Sequence, residues 1–242
     1  ENMQRSLLLL LCACCANGFQ GWIRPPLIPA SPTKRAASQS TAPSTLLGLR
    51  LSGGADAPAA TALCILAPGF EELEAIAPID LLRRANVQVT LASTEASKSV
   101  LGRNGITVQA DTTLDECLST PYDCVLLPGG PPAVPANGLL AGDARVKKIL
   151  KDQRQSGKLV SAICAAPSVL KEAGALEGVK YTAHFSVKEQ IPDIGPEKVV
   201  VDGNVLTSQG AGTSVEFGLA LISYLVDQKT ADDVAASICF GQ

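Results

Sequence analysis

Metal-binding side chains are scarce in this chain of 242 residues, which has one histidine, His184, and eight cysteines. Cys12, Cys14 and Cys15 fall in the first sixteen residues. The other five, Cys64, Cys117, Cys124, Cys164 and Cys239, are scattered, odd in number and without a C-x-x-C pair. That pattern argues against a zinc site and a disulfide framework, and it fits work in a reducing compartment. No metal and no cofactor is expected. The apolar run from Leu7 to Ala16 is too short to be a convincing membrane span. Acids are missing altogether between Asn17 and Ala55, so residues 1–55 carry five basic groups against Glu1 alone. The whole chain has 20 basic and 23 acidic residues, which leaves 15 and 22 for the remainder, a net of −7. Nothing in that acidic body suggests a nucleic-acid surface.

The basic beginning divides in two. Residues 1–16 have Arg5, an apolar stretch, and small residues at Cys14, Cys15 and Ala16, the layout of a signal peptide and its cleavage site. Residues 17–57 are rich in Pro, Ser, Thr, Ala and Arg, as transit peptides and linkers are. With Phe19 just past the expected cut, the pair resembles the two-part plastid presequences of algae with secondary plastids. Plastid delivery is the resulting expectation, with no membrane association after processing. Secretion, a cytoplasmic location and a start at Met3 are the alternatives.

Residues 58–242 suffice for one α/β domain. Leu63–Ala67 reads as a buried strand that ends at Pro68-Gly69. A helix from Glu71 to about Ala85 follows, with acids in its first turn and a bend expected at Pro78. Glu71 and Glu72 read as solvated helix-start acids. Glu74, beside the distorted turn, is a candidate functional acid. Val87–Leu91, a short Ile106–Val108 edge piece and Asp123–Leu127 are further strands, the last running into Pro128-Gly129-Gly130-Pro131-Pro132, where backbone N–H groups are accessible to a ligand. Asp143 caps a helix from Ala144 to Ser156. Tyr181–His184 is read as a strand, Lys198–Val201 and Val205–Ser208 as a hairpin about Asp202-Gly203-Asn204. Thr213 with Glu216 reads as a capping box, and Thr230 with Asp233 as the start of a last helix. Strands alternating with helices imply a mostly parallel sheet covered by helices on both faces.

The most informative stretch is Lys-Leu-Val-Ser-Ala-Ile-Cys-Ala-Ala-Pro-Ser-Val-Leu, residues 158–170. A buried strand meets a helix at Cys164, with Pro167 suited to the first helical turn. Unpaired N–H groups and the helix dipole at such a junction favour a thiolate, so a lowered thiol pKa is expected. This stretch alone fits a nucleophile and a buried structural cysteine equally well. In parallel sheets, however, sites lie outside the carboxyl ends of the strands. Glu74, Gly129-Gly130, Cys164 and His184 all follow strands on that rim.

Ile-Leu-Ala-Pro-Gly-Phe-Glu-Glu-Leu-Glu-Ala (65–75), Val-Leu-Leu-Pro-Gly-Gly (125–130), Ala-Ile-Cys-Ala-Ala-Pro (162–167) and Thr-Ser-Gln-Gly-Ala-Gly-Thr (207–213) together resemble the ThiJ/PfpI superfamily. The similar branch is that of the Parkinson-disease-associated deglycase and glyoxalase III-type proteins. The resemblance implies a flavodoxin-like three-layer α/β sandwich that forms a homodimer. It also implies that Cys164 is the nucleophile, Glu74 the carboxyl bonded to its sulfur and His184 a nearby histidine. Gly130 and Ala165 would bind an oxyanion through their N–H groups, with Gly129 and Arg103 in the substrate pocket. The implied substrates are small reactive aldehydes such as glyoxal and methylglyoxal, or glycated side chains; oxidative sensing or chaperoning by the same cysteine is the alternative. Two departures stand out: Gln209 and Ala211 replace a usual Arg and Pro. Ala165 and Ser186 leave the hydrolytic triads of the superfamily incomplete.

Overall fold

In the computed structural model, residues 58–134 and 138–241 are described. The segments 1–16 and 17–57 lie outside them. Among the described residues no helix is long and apolar enough to cross a membrane.

Strands β1 (Ala60–Leu66), β2 (Val87–Ser93), β5 (Thr112–Thr113), β6 (Cys124–Leu127), β7 (Leu159–Ile163), β8 (Val199–Asp202) and β9 (Val205–Ser208) form one sheet in the order β5-β2-β1-β6-β7-β9-β8. All pairs are parallel except β8 with β9, the hairpin that Asp202-Gly203-Asn204 turns, with Gly203 at φ +58°. Alternate residues along β1 divide between two cores, as the period of a strand requires. Leu63 and Ile65 pack towards α2 (Leu114–Cys117), α3 (Ala144–Gln155) and α4 (Pro167–Glu172). Ala62, Cys64 and Leu66 pack towards α1 (Glu72–Arg84), α5 (Ser214–Leu225) and α6 (Gln228–Ser237). The result is the flavodoxin-like sandwich, with helices on both faces.

Several local expectations need correction. The stretch 181–184 is extended but joins no ladder, because its polar groups bond elsewhere: Thr182 N–H donates to Thr207 Oγ1 at 2.9 Å and His184 N–H to the Cys164 carbonyl at 2.8 Å. Thr213 and Glu216 form no capping box. Thr213 Oγ1 lies 2.6 Å from Ser208 Oγ, and Glu216 accepts from Lys198 at 2.7 Å. The last helix is capped by Asp227, which accepts from Thr230 N–H at 2.7 Å. Helix α1 runs unbroken through Pro78, which packs beside Gly218 of α5. The edge piece belongs to a separate hairpin, β3 (Ser99–Leu101) with β4 (Thr107–Gln109).

Candidate active site

Cys164 sits at the turn between β7 and α4 with φ +66°, a left-handed conformation that a side-chain-bearing residue rarely adopts. Its backbone is held on both sides, N–H to the Ser208 carbonyl at 2.9 Å and C=O from His184 N–H. A strained turn of this kind lifts the side chain clear of the sheet end. The sulfur is half-buried, whereas Cys64, Cys117 and Cys124 are buried.

Three elements meet around that sulfur. Glu74, in the first turn of α1 and 1% exposed, hydrogen-bonds to it. The N–H groups of Ala165 and Gly130 also point to it. Gly130 has φ +99°, and a Cβ there would stand 2.7 Å from the Gly69 carbonyl oxygen. Gly129 has no room for a Cβ either, since one would stand 2.7 Å from both Cys164 Cβ and Glu74 Oε2. The Gly129 N–H donates to Glu74 Oε2 at 2.9 Å. Gly129, expected in the substrate pocket, gives its amide to the acid.

The electrostatics correct the expected thiolate. Burial pushes the Glu74 carboxyl up to about 7, and the Cys164 and Gly129 donors only partly offset this. Burial, followed by the charge of Glu74, pushes the Cys164 thiol up to about 12, against the pull of the Ala165 and Gly130 N–H groups. Two groups this close titrate as a pair. Above neutrality they hold one proton and one negative charge between them.

His184 closes the site. A Cβ placed on Gly210 would stand 3.5 Å from His184 Cδ2 and 3.9 Å from both Cys164 Sγ and Glu74 Oε1, so all three groups border one small space. Ser186 N–H donates to His184 Nδ1 at 3.3 Å, and Ser186 Oγ lies 2.8 Å away. With Nδ1 engaged as an acceptor, the neutral ring carries its proton on Nε2. Arg103 is exposed and draws on the Glu74 charge from the loop after β3.

Sequence reasoning missed Glu72. It is 4% exposed and accepts from Asn104 N–H at 2.6 Å, Asn104 Nδ2 at 2.9 Å and Ile106 N–H at 3.3 Å, which strap the Arg103 loop to α1. These bonds hold its carboxyl below the ordinary range despite burial. The turn residues Gly102-Arg103-Asn104-Gly105 are the only local signal of that loop. Gly210 was visible as a small-residue loop, but its approach to the sulfur was not.

A parallel α/β sandwich with a cysteine on a strained strand-to-helix turn, facing a buried carboxyl, defines the class. The chain belongs to the DJ-1/PfpI family, whose pattern matches residues 60–224. It is 36% identical to the protein dj-1beta of Drosophila melanogaster over 182 residues, 74% of this chain and 96% of the relative. It is 30% identical to the glutathione-independent glyoxalase DJR-1.2 of Caenorhabditis elegans over 187 residues, 75% of this chain and 97% of that one. The structure of oxidized Toxoplasma gondii DJ-1 superposes with a TM-score of 0.72 at 34% identity, covering 76% of this chain and 100% of the other.

Proposed function

We propose that the chain is a glutathione-independent glyoxalase and deglycase that acts on glyoxal, methylglyoxal and their early adducts through Cys164. The observation that carries this is the geometry at Cys164, a sulfur on a strained turn that is hydrogen-bonded to the buried Glu74 carboxyl and met by two N–H groups. As Sγ adds to the aldehyde carbon, its proton passes to the Glu74 carboxylate, and the oxygen becomes an oxyanion within reach of the Gly130 and Ala165 N–H groups. Glu74 gives that proton to the oxyanion, completing the hemithioacetal. Its regenerated carboxylate then carries the C–H proton of the former aldehyde carbon to the neighbouring carbonyl carbon, while the hydroxyl proton moves to that carbon's oxygen, which His184 Nε2–H can hydrogen-bond. The product is a thioester of a 2-hydroxy acid. Water cleaves it, releasing lactate from methylglyoxal or glycolate from glyoxal and restoring the thiol. The aldehyde carbon is oxidised to the acyl level as the neighbouring carbonyl carbon is reduced to an alcohol, so no outside oxidant is consumed. Addition run in reverse from Cys, Lys or Arg adducts gives the deglycase activity.

Lactate formation from methylglyoxal without glutathione is the test, wild type against Cys164→Ser. Turnover at the wild-type rate in the variant refutes the scheme. A second reading, oxidation sensing by the same sulfur, is favoured by Cys164 being partly exposed beside Glu74, where Cys64, Cys117 and Cys124 are buried and the more exposed Cys239 lies outside the site. Mass spectrometry after mild peroxide treatment tests it, and equal oxidation of Cys164 and Cys64 sinks it. Assembly as a homodimer and plastid delivery by residues 1–57 are also proposed; sedimentation and the destination of a reporter fused to those residues test them.

A further inference from the structure

The site opens onto more space than a three-carbon dicarbonyl fills. A cavity of about 610 Å³, lined among others by Ala183, His184, Phe185, Ile194, Gln209 and Gly210, lies beside it. That volume falls in the range of pockets that hold drug-sized ligands. The cavity reaches the chemistry at Gly210 and His184, where a Cβ on Gly210 would stand 3.5 Å from His184 Cδ2 and 3.9 Å from Cys164 Sγ. A carbonyl carbon bonded to the sulfur can therefore direct its substituent into it.

The lining says what that substituent is. No acidic side chain borders the cavity, and Lys188 is the only one of the lining residues with a permanent charge. The Gln209 amide is committed, Nε2 donating to the Pro196 carbonyl at 2.9 Å. The rest of the wall is small or apolar. Phe185 is 79% exposed, the most exposed of the large apolar side chains described. One face of its ring lies against His184, centroids 4.0 Å apart and planes at 35°, which leaves the rest of the ring to solvent. An exposed ring at the mouth of an apolar cavity gains by covering itself with another apolar group, and a second ring adds the favourable offset or tilted contact of aromatic pairs.

We infer that the Cys164 site prefers 2-oxoaldehydes bearing an aromatic or bulky apolar group, seated in the Phe185 cavity, a substrate class that rests on the glyoxalase reading. With phenylglyoxal the sulfur adds to the aldehyde carbon, the proton of that carbon moves to the ketone carbon, and water releases mandelate and the thiol. One water is consumed for each mandelate formed. Phe185 binds the ring and takes no part in the proton transfers. Its effect belongs in KM.

The test compares mandelate formation from phenylglyoxal with lactate formation from methylglyoxal, without glutathione, for the full chain and for Phe185→Ala and Phe185→Trp. The wild type is expected to show about tenfold higher kcat/KM for phenylglyoxal, the order of selectivity that a modest apolar contact gives. Phe185→Ala lowers that ratio about tenfold, mainly through the phenylglyoxal KM, and Phe185→Trp restores it. A wild type that turns over methylglyoxal as well as or better than phenylglyoxal overturns the aromatic preference alone. A ratio unchanged in Phe185→Ala overturns the role of Phe185 and the seat assigned to the ring. A wild type inert towards both overturns the glyoxalase reading and the preference with it.

Discussion

Replacing Glu74 by Gln should make the protein more stable above neutrality and nearly inactive. The carboxyl is 1% exposed, and burial moves it from an ordinary 4.5 to about 7. At 1.36 kcal/mol per tenfold change in proton affinity, keeping it ionised in the fold costs about 3 kcal/mol. The sign follows from linkage: the unfolded carboxyl loses its proton near 4.5, the folded one only near 7, so the unfolded state binds fewer protons between those values. The contribution is fully present below 4.5 and is lost as the pH rises through 7. Gln cannot ionise, and its amide oxygen can still accept the Gly129 N–H bond. Urea unfolding of both proteins at pH 4.5 and pH 8 measures the difference. Glu74→Gln should gain about 3 kcal/mol on the wild type between the two. A difference that stays constant across that interval refutes the assignment of a buried, charge-averse carboxyl. Activity should move the other way, since the variant cannot take the Cys164 proton; such stability gains at the expense of chemistry mark functional groups.

Other outcomes follow from close contacts and buried bonds. Gly129→Ala places a methyl 2.7 Å from Cys164 Cβ and Glu74 Oε2, and should lower methylglyoxal turnover about a hundredfold while the chain stays folded, checked by steady-state kinetics and circular dichroism. Glu72→Ala leaves the Asn104 and Ile106 N–H groups without their acceptor and should destabilise by about 1–3 kcal/mol, read by thermal unfolding. Gly218→Ala puts a Cβ 2.6 Å from Leu81 Cδ1 and 3.1 Å from Pro78 Cα, where α1 meets α5. Overpacking of roughly 1–3 kcal/mol is expected there, seen as a lower urea midpoint.

What was legible in the sequence was whatever its own neighbourhood decides. The apolar run before Cys164, the small residues after it and Pro167 fix a strand, a tight turn and a helix start without help from elsewhere. Asp202-Gly203-Asn204 likewise dictates its hairpin. The misreadings share a different cause. Tyr181–His184 has strand-like residues, but its amides are claimed by Thr207 and Cys164, which the chain brings in from other elements. Thr213 and Glu216 stand at capping-box spacing, yet Ser208 and Lys198 reach them first. Glu72 looks like any helix-start acid until the loop more than thirty residues downstream folds onto it.

The thiol shows the same limit in energetic form. A strand-to-helix turn suggests a depressed pKa, and the Ala165 and Gly130 N–H groups do pull that way. Helix α4, though, has only six residues and begins three positions after the cysteine, so its dipole is weak at the sulfur. Burial and the neighbouring Glu74 charge act more strongly in the opposite direction. An ionised sulfur therefore arises when its proton crosses to Glu74, and the reactive species belongs to the pair rather than to the cysteine. Alkylation of Cys164 by iodoacetamide should then rise with pH through about 7, where the pair loses its first proton. In Glu74→Gln that inflection should vanish, leaving one step below the value of about 12 that burial and the charged neighbour together impose. An inflection near 7 that survives in the variant would show a thiol ionising by itself, and would return the site to the simpler picture that the turn alone suggests.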